Sequence, residues 1–335
     1  DIAAGEWRVH GRSVVLRGWT GERLGGCDES VELVQETVAG GGSDDSEDRP
    51  EAGPTARRDR PEAGPTGGCG VRCCMPAPDL GPAPAHVITE RPLAVHLLPA
   101  LVAPEALAGG VVIMIDALRA SVTISAALAA GATRVVPTLT VEDAERLRGP
   151  GRLLGGERGG VLIPGFDLDN SPRAYTSERV RGKEIVFTTA NGTAALLHAG
   201  RAHEVLIGAV TNVSAIVARV AREPRAVHIL CAGTRGEITM DDCLAAGLIA
   251  ERLVAAGRQV VSDDSTRMCV GLARLAAAHP SGLGAGVLEL MRESRGGRGL
   301  TRLGFEEDLR LCSTIDAVAV VPVFAGGAIT CERLS

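Results

Sequence analysis

Three features of this 335-residue chain predict a three-layer α/β/α fold with a mostly parallel central sheet and a helical C-terminal third. The first is the run Val111-Val112-Ile113-Met114-Ile115, five apolar residues of which four are β-branched. Such a run suits a strand buried on both faces, the kind found at the centre of parallel sheets. The second is the alternation of strand-like and helix-like segments from residue 86 onward. Strand, helix and parallel strand in succession build a sheet covered on both sides. The third is the helical spacing that dominates residues 265–311.

Taken in order, residues 93–98 alternate weakly and give an early strand, and 111–115 give the central one. Residues 122–130 are apolar and Ala-rich, hence helical. A strand follows at 134–137, then a helix at 141–147 with Thr140 as N-cap and Asp143 in its first turn. Further strands are expected at 152–154, 184–187, 204–207 and 226–230, with helices at 192–199, 213–221 and 242–256. After the helical third, residues 317–323 return as a strand.

Residues 1–85 have a different character. Asp48 to Thr55 recurs as Asp59 to Thr66, each reading Asp-Arg-Pro-Glu-Ala-Gly-Pro-Thr, within a Gly/Pro-rich tract. This repeat has too little apolar surface to offset its ordering entropy, so a disordered extension is expected over 1–85, followed by one domain over 86–335. Within the extension, 13–16 and 30–34 could form small strands or a short helix.

Composition narrows the function. Hydrophobic residues make up 45% of the chain, enough for a sizeable core. A net charge of −6 and 2% aromatics supply neither the positive field nor the stacking platforms that nucleic acid requires. No apolar run reaches membrane-spanning length and the first residues lack a signal-peptide pattern, so a cytoplasmic protein is expected. The nine cysteines lack the regular spacing of a disulfide framework or paired metal knuckles, although Cys69, Cys73 and Cys74 cluster. His96, His198 and His228 are expected to pack or cap, and a homodimer is the prior for a small metabolic enzyme.

Polar chemistry concentrates where strands end. Past Ile115 come Asp116, Arg119 and Ser121: a carboxylate, a cation and a hydroxyl beside a helix N-terminus, where open α/β sheets bind ligands. Glycines flank Glu157 and Arg158, which lets backbone approach a ligand. The stretch from Gly165 to Pro172 carries Asp167, Asp169, Asn170 and Ser171; an Asx-turn and helix cap would equally use them. Thr188, Thr189, Asn191, Gly192 and Thr193 follow a strand directly, a turn of hydroxyls and N–H groups suited to phosphate. Asp241 and Asp242 open a helix after Cys231-Ala232-Gly233; they suit either the helix dipole or a hard divalent cation. Only three residues separate Cys231 from Arg235, too few for the Cys-x5-Arg loop of thiolate phosphatases.

Together these stretches, with Glu293 to Gly297 and Gly304 to Asp308, resemble the 2-phosphosulfolactate phosphatase family over roughly residues 90–325. The resemblance implies a magnesium-dependent phosphatase that converts 2-phospho-3-sulfolactate to sulfolactate and phosphate, on a route to coenzyme M. It implies Asp116, Glu157 and Asp242 as magnesium ligands with Asp241 close by, and Arg119 and Arg158 as clamps on the phosphoryl oxygens. Asn191, Gly192 and Thr193 would complete a phosphate cradle with Thr188 and Ser121. Asn170 and Ser171 would meet the carboxylate or sulfonate end, and Arg295 the sulfonate. The nucleophile stays open between a metal-activated water and Asp116 itself. Asp169 stands where the family pattern has glycine; pointing inward, it would oppose a highly anionic substrate. A phosphatase of a related small 2-phospho acid and a non-catalytic anion-binding module are the alternatives. A dinucleotide-binding oxidoreductase lacks its GxGxxG loop here.

Overall fold

A computed structural model describes residues 6–9, 12–15, 91–189, 191–260 and 264–332. The chain divides into two units, Asp1–Asp79 and Leu80–Ser335. In the first, β1 (Glu6–Val9) pairs antiparallel with β2 (Arg12–Val15). The expected disorder of the rest of 1–85, including the repeat, the 30–34 segment and the Cys69, Cys73 and Cys74 cluster, lies outside the described residues.

The second unit is built on an eleven-stranded, mostly parallel sheet with helices around it. Its first half comprises β3 (Pro92–His96), β4 (Val111–Ile115), β9 (Glu204–Gly208), β10 (Val227–Cys231) and β11 (Gln259–Val260), all parallel, in the order β11-β3-β10-β4-β9. The second half pairs β5 (Arg134–Thr138), β8 (Glu184–Thr188) and β6 (Arg152–Arg158) in parallel, with the short β7 (Val161–Leu162) antiparallel on β6.

Between the halves lies an antiparallel hairpin, β12 (Val321–Ala325) and β13 (Ala328–Glu332). The sequence predicts a single strand at 317–323, whereas the structure has two, at 321–325 and 328–332. The overlooked signal is Gly326-Gly327, both at positive φ (57° and 80°), a two-residue loop in the left-handed conformation that tight hairpins need. Because β9–β12, β12–β13 and β13–β5 are each antiparallel, the two parallel halves run in opposite directions.

Burial of β4 shows how the layers form. All five of its residues are buried, but alternate ones join different cores. Val111, Ile113 and Ile115 pack with α5 (Val213–Val220), α6 (Met240–Ala255) and α7 (Asp264–Ala277). Val112 and Met114 pack with α1 (Ala120–Ala129) and α4 (Gly192–His198) on the other face. The shorter α2 (Val141–Arg146) and α3 (Ser177–Val180) accompany the second half-sheet. As expected, Thr140 caps α2, its hydroxyl accepting the N–H of Asp143 at 3.0 Å. The C-terminal third continues as α8 (Leu283–Glu293), α9 (Arg295–Arg302) and α10 (Glu306–Cys312).

The three histidines expected to pack or cap, His96, His198 and His228, do pack or hydrogen-bond. His198 bonds the Val102 carbonyl at 2.8 Å, while His96 and His228 stack with ring nitrogens 3.0 Å apart. Burial, with His96 alongside, lowers the His228 pKa to about 4. A histidine held neutral in the fold binds protons more readily when unfolded. Its contribution is therefore complete above about pH 6.5 and lost as pH falls toward 4. After allowance for solvent screening we expect this to be about 1–2 kcal/mol. Urea unfolding at pH 7.5 and 4.5 should show a smaller pH effect in His228→Asn than in the wild type; equal pH effects would exclude the pair as its source.

Candidate active site

Residues from both half-sheets meet at a cavity of about 460 Å³. Its wall includes Asp116, Arg119, Glu157, Asn170, Asn191 and Arg295 among the residues singled out in the sequence. Asp116 stands at the carboxyl end of β4, and Glu157 near the end of β6.

The turn after β4 is locked from within. The Asp116 N–H donates to the Ser121 hydroxyl and the Ser121 N–H donates to the Asp116 carbonyl, both at 2.9 Å. Ser121 is thus fully buried and shapes the turn without entering the cavity wall. The Asp116 carboxylate receives backbone N–H groups from Ala120 and Gly192, at the first residues of α1 and α4. Burial nevertheless pushes its pKa up to about 7, reinforced by Glu157 and then Asp241. Burial also raises Asp241, whose Oδ1 is buried without a hydrogen-bond partner. A glycine is required where β6 passes β8: at Gly156, with φ 136°, a Cβ would sit 2.0 Å from the Thr188 carbonyl oxygen.

Several expected site residues are employed elsewhere. Asp242 does not line the cavity. Its Oδ1 accepts the Ala117 N–H and its Oδ2 the Gly233 N–H, each at 2.8 Å, so it ties the ends of β4 and β10 together. Arg158 turns to the Thr188 hydroxyl (3.0 Å) and to the carbonyls of Glu157 (2.8 Å) and Leu139 (3.1 Å), bracing the β6 end against β8. Thr188 is consumed in that brace. The Ser171 hydroxyl donates to Asp308 at 2.8 Å. Thr193 lines a separate, smaller cavity with Thr138, Leu196 and Phe324. Gly192 reaches the site only through its N–H. Asp169 does not line the cavity; its Oδ1 accepts the Ser171 N–H at 2.9 Å, the local turn that the sequence equally allows. Cys231 is a free thiol, fully buried outside the wall, and its hydrogen bond with Cys243 and its burial raise the thiol pKa well above the ordinary range.

The structure also brings in two arginines that the sequence does not assign to the site. Arg235 and Arg302 line the cavity, and among the described residues neither side chain has a salt-bridge partner. Arg235 adopts φ 55° and donates its N–H to Asn191 Oδ1 at 3.0 Å. Arg302 had a legible signal. It lies seven residues after Arg295, two helical turns along α9, so both fall on one face with Gly299 and Leu303. Arg295 itself pairs with Glu237. Arg119 donates to Asp308 at 2.5 Å and to the Gly160 carbonyl at 2.9 Å. The wall thus presents four guanidinium groups around two carboxylates.

Fold and cavity define the class: an α/β protein whose strand ends form a small chamber of arginines and acidic groups, chemistry suited to a compact polyanion. Comparison with known proteins makes the assignment specific. The family described as 2-phosphosulpholactate phosphatase matches residues 96–327. A protein of Symbiobacterium thermophilum named "Probable 2-phosphosulfolactate phosphatase" is 42% identical over 229 residues, covering 67% of this chain and 95% of the relative. A protein of the same name from Deinococcus radiodurans is 37% identical over 239 residues, covering 70% and 94%. The chain belongs to the 2-phosphosulfolactate phosphatase family of hydrolases.

Proposed function

We propose that this chain is a magnesium-dependent phosphomonoesterase that hydrolyses 2-phospho-3-sulfolactate to 3-sulfolactate and phosphate. The observation that supports it most directly is the cavity wall, where Arg119, Arg235, Arg295 and Arg302 surround Asp116 and Glu157. A molecule bearing phosphate, carboxylate and sulfonate on three carbons needs several fixed cations, and planar guanidinium forks suit all three groups. The names of the relatives point to the same substrate.

Magnesium would be held by the two cavity carboxylates, because among the described residues no group of three or more Asp, Glu, His or Cys side chains is gathered to cage a metal ion. Asp116 and Glu157 face the chamber, Asp241 keeps a buried oxygen without a partner, and Asp116 feels repulsion from both of the others. A divalent cation would relieve that repulsion. Magnesium is commonly held by one or two carboxylates with water and substrate oxygens completing its shell, so a dedicated protein cage is unnecessary. When bound, it would polarise the phosphoryl group and offset its charge. Arg119 would hold phosphoryl oxygens from the β4 side, with the remaining N–H groups of its fork. Asn170, in the cavity wall, would donate from its Nδ2 amide to an anionic group of the substrate. Arg295 and Arg302 would receive the distal anions from α9.

The test is phosphate release by the purified chain from 2-phosphosulfolactate, 2-phospholactate and an aryl phosphate, each with magnesium and with a chelator. We expect magnesium-dependent release that favours the sulfonated substrate. Release from the aryl phosphate alone, or release unaffected by the chelator, would overturn the substrate or the metal respectively.

A further inference from the structure

We infer that Asp308 is the positioning residue of this site, holding Arg119 in the orientation that faces the bound anion; the inference rests on the phosphatase reading for what Arg119 does. Asp308 lies on α10 and is 1% exposed. Its two carboxylate oxygens have different partners: Oδ2 accepts from Arg119 at 2.5 Å, and Oδ1 from the Ser171 hydroxyl at 2.8 Å. One carboxylate therefore joins the turn after β4 to the loop that carries Asn170, from 189 and 137 residues away in sequence.

Arg119 is confined on its remaining sides. Its guanidinium lies 4.3 Å from the centre of the Phe305 ring and donates to the Gly160 carbonyl. Phe305 immediately precedes α10, so the same segment supplies both the countercharge and the stacking surface. Two of the five N–H donors of the fork are thereby engaged, and the side chain still lines the cavity. Stability alone does not explain the arrangement, because a buried ion pair usually contributes little more than a well-packed apolar pair of similar volume. Orientation does explain it. A free arginine samples many rotamers, and fixing it during folding removes that entropic penalty from substrate binding and from the transition state.

The sequence contains the residue within the stretch from Gly304 to Asp308 but no sign of its partner. An acidic residue in the first turn of a helix ordinarily serves the helix dipole, and Glu306 and Glu307 beside it are partly or fully exposed. Only the fold shows that Asp308 points inward.

The test is Asp308→Asn, which keeps size and hydrogen-bonding capacity but removes the charge. We expect a folded protein whose kcat for 2-phosphosulfolactate falls about 10- to 100-fold, the scale of a misplaced catalytic group, with KM changed much less. In an Arg119→Lys background the same substitution should add almost nothing, because the fork it positions is gone. Equal losses in both backgrounds, or a lower melting temperature with unchanged kcat, would overturn the role. Should Asp308→Asn fail to fold, Ser171→Ala and Phe305→Leu each remove one member of the same network; unchanged kcat in both would also overturn it. Side-chain 15N spectra of the arginines give a readout independent of turnover. Arg119 N–H groups should be immobilised in the wild type and averaged in Asp308→Asn. That change in a wild type that releases no phosphate would sink the phosphatase reading and keep the positioning role; unchanged spectra would sink the role itself.

Discussion

Asp116→Asn should yield a more heat-stable protein that has lost turnover by about a thousandfold or more, the range seen when a central catalytic group is removed. The opposite signs have one cause. Asp116 is a buried carboxylate beside Glu157 and Asp241, and its pKa stands near 7 against an ordinary 3.8. A group whose folded pKa is raised binds protons more tightly in the native state. Stability is therefore present below about pH 4 and lost as pH rises through about 7. At pH 8 the ionised group destabilises the fold by an amount of order a few kcal/mol. Asparagine gives up part of the acceptor capacity for the Ala120 and Gly192 N–H groups, but at pH 8 removal of a charge that faces Glu157 and Asp241 outweighs that loss, so its melting temperature should exceed that of the wild type at pH 8, and the gap should shrink at pH 5. Magnesium should raise the melting temperature of the wild type and leave the variant nearly unmoved, since the repulsion it would relieve is gone. A variant that retains turnover, or that melts below the wild type at pH 8, would remove Asp116 from the centre of the site.

What the sequence made legible follows from how local each signal is. The strand Val111–Ile115 was readable because burial on both faces demands a continuous apolar run, and the polar turn behind it because Asp116, Arg119 and Ser121 are neighbours in the chain. The helices from residue 264 were readable from their spacing. The hairpin between the half-sheets was not, because the apolar stretch at 317–323 draws attention away from the two glycines that set the turn. Side-chain direction is the harder problem. A residue type suited to phosphate or metal is equally suited to bracing a turn, and neither Arg158 nor Thr188 shows in sequence that each will find the other. Ser171 likewise serves Asp308. Conversely, Arg235 reaches the cavity through a left-handed backbone conformation that an arginine seldom adopts and that composition does not announce.

Asp242 is where these two uses of a carboxylate separate most sharply by experiment. Both of its oxygens are occupied by backbone N–H groups at the ends of adjacent strands, Ala117 after β4 and Gly233 after β10. Asp242→Ala leaves those two buried donors without acceptors, at about 1–3 kcal/mol each, partly offset by removing a carboxyl that burial, Asp241 and Asp116 already disfavour. The expected net loss is about 2–4 kcal/mol, among the larger effects of a single substitution. It should appear as a lower urea midpoint with an unchanged denaturant slope. Asp242→Asn can accept only one of the two N–H groups and should fall between alanine and wild type. If the strand ends are what Asp242 serves, the asparagine variant should need no more magnesium for half-maximal rate than the wild type, although its rate falls because Ala117 adjoins Asp116. A large rise in that magnesium requirement, with stability intact, would instead make Asp242 a metal ligand and return the site to the arrangement that the family resemblance implied.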